Sequence, residues 1–238
     1  MAAPQPEEDD QGMDDRDRSL AVTRLIEAGR DREAAKQGAH PTVPTPTPRP
    51  TQNGEPMDPL TQLGLLGPLL GEVVGGIDPD QLEAPTPCAD FTVRGVLEHM
   101  IGGATAFAAA FRGEDAPEAA LDDPLGRFGP VLGDLAEAIS APGALDRTIA
   151  APFGEVSGDT FARFVVLDGL VHGWDMATAT GQAYDPPREL VEAVDGFAHQ
   201  ALDPLRDGQT FADAIEPEPT ASPIERLAAY TGRTAVTR

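Results

Sequence analysis

The chain has 238 residues, of which 40% are hydrophobic and 24% are charged, a composition typical of a soluble protein with one or two domains. Its 40 acidic residues outnumber 17 basic ones and give a formal charge of −23, which makes nucleic acid and anionic membrane poor partners. No run of 18 apolar residues is present and the N-terminus is acidic, so we expect a cytoplasmic protein. With Cys88 as the single cysteine, any metal must be bound by histidine and carboxylate side chains.

Residues 1–56 differ in composition from the rest of the chain. They contain 8 of the 24 prolines, whereas all twelve aromatic residues follow Glu55. Because proline fixes φ and removes a backbone donor, the PTVPTPTPRP run predicts an extended, solvated segment. We therefore predict that residues 1–56 form a disordered, Pro-rich and acidic N-terminal extension and that residues 57–238 form the folded core.

Two alternatives for the extension stay open. A helical pattern survives between Ser19 and Lys36, and this short segment could form a partner-binding helix on a tether, because a helix of this length needs a docking surface. In the second alternative, Met57 is the natural start of the protein. The sequence alone does not decide between these interpretations.

The core is predicted to be helical throughout. Apolar residues recur at helical spacing, and capping residues, prolines and glycines stand at the expected helix ends. The segment 148–153 is the only plausible extended piece, and it predicts no sheet. Helices joined by loops of moderate length favour a bundle. The predicted helices cover 60–74, 92–112 with Thr92 as N-cap, 124–139, 157 or 159 to 180 with Ser157 or Asp159 as N-cap, 186–205, and 223–230.

The helix that ends at Thr180 carries two ionisable residues in the middle of its most apolar stripe. Asp168 and His172 are four residues apart, a spacing that lets two side chains bind one ion from the same helix face. A carboxylate buried there must be neutral, paired or bound to a cation, because an unpaired buried charge is strongly unfavourable. Asp175 lies on the same side and is a candidate either for supporting a ligand residue or for replacing one.

A third ligand must come from another helix, and His99 is the obvious candidate. Small residues surround it on its helix and leave room for a ligand, or for close approach of two helices. His99, Asp168 and His172 together suit a divalent ion with an open coordination position, as in catalytic zinc sites, with nickel, manganese and iron as alternatives. The other open interpretation is a hydrogen-bonded Asp–His pair in a bundle without metal.

Other polar residues are interpreted as structural. His199 is expected either at the surface or in the core with its hydrogen bonds satisfied. Trp174 is expected to pack against neighbouring side chains. Cys88 precedes a helix N-terminus, where a thiolate would be stabilised, but a small buried hydrophobic residue is the favoured interpretation. The sequence contains no glycine-rich phosphate loop and no HExxH motif.

Three segments, TPCADFTVRGVLEHMIGG, DGLVHGWDMATATGQ and ASPIERLAAYTGR, carry a family resemblance. Together they resemble an uncharacterised actinobacterial family related to the metal-binding domain of mycothiol-dependent maleylpyruvate isomerase, in the DinB-like superfamily. The resemblance implies an all-α fold: a DinB-like four-helix bundle with a short additional C-terminal helix and a bound divalent metal, usually zinc. The ligands it implies are His99 in LEHM, Asp168 in LDGL and His172 in VHGW.

The resemblance also implies a function. We expect a metal-dependent transferase or isomerase with mycothiol as cosubstrate, in which the ion activates the thiol and Asp175 takes the proton. The expected partners are a small-molecule thiol and an electrophilic substrate, and a homodimer is compatible with the sequence. The isomerase has an additional C-terminal α/β domain and a glutamate ligand in place of Asp168, so its substrate does not carry over. The alternative is a non-catalytic protein that binds or senses a metal or a thiol.

Overall fold

The computed structural model describes residues 57–88, 91–151, 154–206 and 212–234. The extension predicted for residues 1–56 lies outside the described residues. Short 3-10 helices occur at Pro79–Gln81 and Asp203–Leu205. The remaining elements are α1 (Pro59–Gly75), α2 (Val93–Arg112), α3 (Pro124–Ser140), β1 (Thr148–Ala151), β2 (Gly154–Ser157), α4 (Gly158–Thr180), α5 (Arg188–Ala201) and α6 (Pro223–Tyr230).

The ends of α2 and α4 follow local signals in the sequence. The side chains of Thr92 and Ser157 each accept a hydrogen bond from the backbone N–H three residues later, as N-caps do. Gly113 and Gly181 end the same helices with φ of 74° and 73°, a left-handed conformation that is unfavourable for residues with a Cβ. The predicted bounds of both helices are confirmed, with Ser157 rather than Asp159 as the cap.

The first four helices pack around a common core. α2 packs against α3 and α1 against α4, while contacts between α1 and α3 and between α2 and α4 close the arrangement. α5 and α6 also pack against α4, so α4 is surrounded and 18 of its 23 residues are buried. A helix that is apolar nearly all round is expected at such a central position. The prediction of a mainly helical fold is confirmed.

Two glycines let α1 approach α4 closely. A Cβ on Gly169 would lie 2.9 Å from Cδ2 of Leu66, and a Cβ on Gly173 would lie 3.0 Å from Cδ2 of Leu70. A larger residue at either position would require the leucine side chain, and at position 173 also the side chain of Tyr184, to move. Because Gly169 and Gly173 directly follow Asp168 and His172 in the sequence, α1 packs beside the part of α4 that carries both predicted ligands.

The sequence predicted no sheet, and this prediction is wrong. β1 and β2 pair as an antiparallel hairpin in which Ile149 lies opposite Val156. Both side chains are buried in a cluster that also contains Phe111 and Phe161. Strands of four residues carry too little alternation to be recognised in a sequence, and this hairpin is stabilised by packing against α2 and α4.

The fifth predicted helix, 186–205, is also shorter in the structure. α5 ends at Ala201 and the chain continues as the 3-10 helix Asp203–Leu205, which contains Pro204. Proline lacks the N–H that a continued α-helix requires. Within the described ranges, no helix combines the length and the hydropathy that crossing a bilayer requires.

Candidate metal centre

His99 on α2 faces Asp168 and His172 on α4. The Oδ1 atom of Asp168 lies 3.4 Å from Nε2 of His99 and 3.5 Å from Nε2 of His172. One ligand atom from each of the three residues lies within 4.8 Å of the other two, and no other such group of histidine, cysteine or acidic side chains occurs in the described part of the chain. The structure thus brings together the three residues predicted as ligands.

These residues fit a divalent ion. When zinc is bound tetrahedrally at about 2.0–2.1 Å, neighbouring ligand atoms are separated by about 3.3–3.4 Å. The two distances from Asp168, 3.4 and 3.5 Å, are close to that separation, and the ligand atoms of the two histidines lie within 4.8 Å of each other. Two imidazole nitrogens and one carboxylate oxygen also match the donor set of catalytic zinc sites, in which the fourth position is open.

The orientation of His172 is fixed from behind by Asp175. The distance from Nδ1 of His172 to Oδ2 of Asp175 is 2.9 Å, and the Asp175 side chain is 0% exposed. With the carboxylate accepting from Nδ1–H, the proton of the neutral imidazole stays on Nδ1 and Nε2 keeps its lone pair for a ligand. This is the arrangement that metal-binding histidines commonly adopt.

Arg233 completes this chain of contacts. Its Nε and Nη2 atoms each lie 3.4 Å from Oδ2 of Asp175, and its Nη1 donates to the backbone oxygen of Thr231 at 3.2 Å. The guanidinium charge compensates the buried carboxylate, which would otherwise be strongly destabilised. Sequence reasoning missed this role, because 58 residues separate Arg233 from Asp175 and no spacing rule connects them.

The Asp168 carboxyl group is paired with both imidazoles. Its side chain is 39% exposed. Desolvation by the surrounding helices acts to raise its pKa. Without a metal, the positive charges of protonated His172 and His99, the hydrogen bond from His99 and the charge of Arg233 outweigh that effect, so the pKa of Asp168 lies well below its usual range. The carboxylate is therefore ionised, as a metal ligand must be.

Phe91 covers the two histidines from the loop before α2. Its ring centroid lies 5.4 Å from that of His99 and 6.2 Å from that of His172, in an edge-on arrangement with the latter. The His99 side chain is 19% exposed, and its Nδ1 has no hydrogen-bond partner among the described residues. His99 is thus oriented by packing, whereas His172 is oriented by a carboxylate.

The remaining polar residues singled out in the sequence lie apart from this cluster. His199 on α5 is half exposed, packs on the ring of Tyr230 and has Nε2 3.6 Å from Oδ1 of Asp195. Trp174 is buried in the main core. Cys88 is half-buried and forms no disulfide. None of the three contributes to the group formed by His99, Asp168 and His172.

Comparison with known proteins gives one family match and two similar proteins. Residues 68–177 match the family model of the mycothiol maleylpyruvate isomerase N-terminal domain, a range that includes all three ligand candidates and Asp175 but not Arg233. Two proteins of Mycobacterium tuberculosis, Uncharacterized protein MT0763 and Uncharacterized protein Rv0738, are each 31% identical over 180 residues, which is 75% of this chain and 99% of each relative. No solved structure gives a significant match.

Proposed function

Because the chain belongs to the family of the mycothiol maleylpyruvate isomerase N-terminal domain, we propose that it binds one divalent metal ion and uses it to activate the thiol of mycothiol for a transfer or isomerisation reaction. The observation that carries the proposal is the approach of His99, Asp168 and His172 to within ligand distance of one another. The packing of the four helices α1–α4, with ligands on two of them, supports a DinB-like bundle.

A divalent ion at these residues would supply Lewis-acid chemistry, favouring the thiolate form of a bound thiol near neutral pH. His99, Asp168 and His172 would hold the ion, and zinc suits this donor set best, with nickel, manganese and iron as alternatives. In the reaction the thiol proton would pass to solvent. The thiolate would then either add to an activated double bond of the second substrate, whose π electrons move onto the adjacent carbonyl group, or displace a leaving group that departs with the electron pair of the broken bond.

Asp175 has a positioning role in this proposal instead of the proton transfer predicted from the sequence. Its Oδ2 contacts Nδ1 of His172, the ring atom opposite to the one that faces Asp168, and its side chain is fully buried. A thiol bound at the ligand atoms would be separated from Asp175 by the imidazole. Asp175 therefore acts through His172, by fixing the tautomer and the direction of the ring.

A non-catalytic protein that binds or senses a metal or a thiol is the second candidate. One observation favours it: the group that covers both histidines is the hydrocarbon ring of Phe91, which cannot transfer a proton. Asp175, the acidic residue beside this cluster, contacts Nδ1 of His172 and not the Nε2 atom that faces Asp168. Turnover of electrophiles in the presence of mycothiol would separate this candidate from the enzyme.

The proposal retains a cytoplasmic location and small-molecule partners, namely a thiol and an electrophile. The formal charge of −23 supports the exclusion of nucleic acid and of anionic membrane surfaces. A homodimer is compatible with the proposal and is not required by it, since all three ligands come from one chain.

Cobalt substitution provides the test. If a thiol enters the open position as the thiolate, mycothiol should produce an intense sulfur-to-cobalt charge-transfer band near neutral pH, below the pH of about 8.5 at which a free thiol ionises. Asp168→Ala should remove the band through loss of the metal, and Cys88→Ala should leave it unchanged. A band that disappears in Cys88→Ala would show the protein's own thiol at the metal, and no band with any thiol would exclude thiol activation.

A further inference from the structure

A cavity of about 260 Å³ lies between the first four helices, beside the candidate metal centre. Of its 18 described lining residues, 17 are apolar or glycine, and Asp168 is the one polar residue. Asp168, whose carboxylate faces His99 and His172, is thus also a lining residue of the cavity. A molecule inside the cavity would therefore lie beside Asp168, whereas His99 and His172 do not line the cavity.

The cavity has a closed floor and an open mouth. The floor is formed by buried residues of α2 and α4, among them Met100, Ala104 and Val165. The exposed lining residues all lie on α1 and α3, where the chain has glycines at four positions that face the cavity. The mouth therefore opens between these two helices, and the four glycines are Gly67, Gly71, Gly129 and Gly133.

Close helix packing does not require these glycines. A Cβ added at any of the four would meet no atom within 4 Å, in contrast to Gly169, where a Cβ would lie 2.9 Å from Leu66. A glycine inside a helix makes the helix less stable than an alanine would, by about 0.5–1 kcal/mol per position. The four glycines therefore lower the stability of α1 and α3, although larger side chains would fit at these positions. Because glycine has no side chain, the mouth of the cavity stays open.

We propose that the cavity binds the apolar part of a small molecule whose reactive end lies at Asp168 and the metal. A dry apolar cavity of about 150 Å³ holds benzene, so the larger space here suits a group of roughly the size of naphthalene or a medium-length acyl chain. A multiply charged molecule is excluded, because the lining offers it no polar partner besides Asp168.

This inference deepens the proposed function by giving the class of its electrophile as a compound with a hydrophobic body and without multiple charges. Only the role of the reactive end rests on the proposed function. Binding in the cavity itself depends on the shape and the apolar lining, so it is expected to survive removal of the metal.

Methyl NMR of the full-length protein, labelled with ¹³C-methyl methionine, tests the inference with naphthalene as the probe. Met100 lines the cavity, whereas Met176 is buried outside it. Naphthalene should shift the Met100 methyl signal and leave the Met176 signal in place. Naphthalene-1,5-disulfonate, which has the same rings and two charges, should shift neither signal. Equal shifts at both methionines, or none at Met100, would overturn the inference.

Substitution of a mouth glycine gives the second measurement. A leucine at Gly129 should obstruct the mouth and weaken naphthalene binding by about tenfold or more, a difference of about 1.4 kcal/mol. Gly64→Leu is the matched control, since Gly64 is also an exposed helical glycine with free space at its Cβ but does not line the cavity. If Gly129→Leu does not fold, Gly71→Leu obstructs the mouth from α1. Unchanged binding in a folded mouth variant would overturn the inference.

The metal-free variant His172→Ala separates this inference from the proposed function. Naphthalene binding in His172→Ala would support the cavity site whether or not the wild-type protein activates thiols. A wild-type protein that gives the cobalt–thiolate band but shows no response at Met100 would overturn the cavity site and leave the proposed function intact.

Discussion

The Nδ1 atom of His172 lies 2.9 Å from Oδ2 of Asp175, one turn further along the same helix, and Arg233 contacts that oxygen from the C-terminal segment. The carboxylate is thus shared between an imidazole and a guanidinium in a fully buried position. Both contacts affect the orientation and the protonation of the His172 imidazole, and neither lies among the ligand atoms that would bind the ion.

Asp175→Asn is therefore expected to lower zinc affinity by about 10–100-fold, the usual effect of losing a carboxylate behind a ligand histidine. The amide removes the negative charge and leaves Arg233 without its buried partner. Competition with a chromophoric chelator measures the affinity. Asp195→Asn is the matched control, because Asp195 also pairs with a histidine, His199, on an exposed helix face. Equal affinities in Asp175→Asn and the wild type would contradict the role assigned to Asp175.

One divalent ion per chain is the expected stoichiometry of the wild type. His172→Ala should abolish binding, because it removes a ligand that is already oriented by Asp175. His99→Ala should weaken binding strongly, and His199→Ala should leave it unchanged, since His199 lies outside the cluster. Elemental analysis of protein purified without chelator gives the ratio. A wild type that carries no ion after reconstitution with zinc, cobalt or nickel would refute the metal site.

The hairpin is expected to contribute to stability through its buried pair. Ile149→Ala should lower the free energy of unfolding by about 2–5 kcal/mol, because it leaves a space in a packed cluster. Thr148→Ala, on the exposed side of the same strand, should change it by less than about 0.5 kcal/mol. Urea unfolding measures both. Similar values for the two variants would show that the hairpin does not pack on the core.

Residues 57–238 are expected to fold without the first 56 residues. The backbone oxygen of Met57 accepts hydrogen bonds from Gln62 at 3.0 Å and from Arg163 at 3.1 Å, so the chain is already attached to the core at this position. Thermal melting of the full-length and shortened proteins should agree within a few degrees. A large loss on truncation would instead indicate that the helical pattern between Ser19 and Lys36 docks on the core.

The sequence predicted those parts of the fold and site that depend on local signals. The ends of α2 and α4 follow from Thr92, Gly113 and Gly181, which act within one turn. The proximity of Asp168 and His172 follows from helix periodicity. The small residues around His99 predicted it as their partner, and the family resemblance implied the same residue.

Features that depend on the relative placement of distant segments could not be predicted. Arg233 reaches Asp175 only because α6 packs against α4, and Phe91 covers the histidines from a loop whose path has no periodic pattern. The cavity has the same origin. Mouth glycines such as Gly67 and Gly129 are visible in the sequence, but the space between them exists only when four helices are assembled.

The burial of α4 has a consequence for how the ion would be released. Because other elements surround this helix, Asp168 and His172 cannot separate by fraying or by a local hinge. Amide hydrogens near both residues are then expected to exchange with solvent only when the whole helical core opens. An ion bound to the folded protein alone would therefore stabilise all the helices together against unfolding.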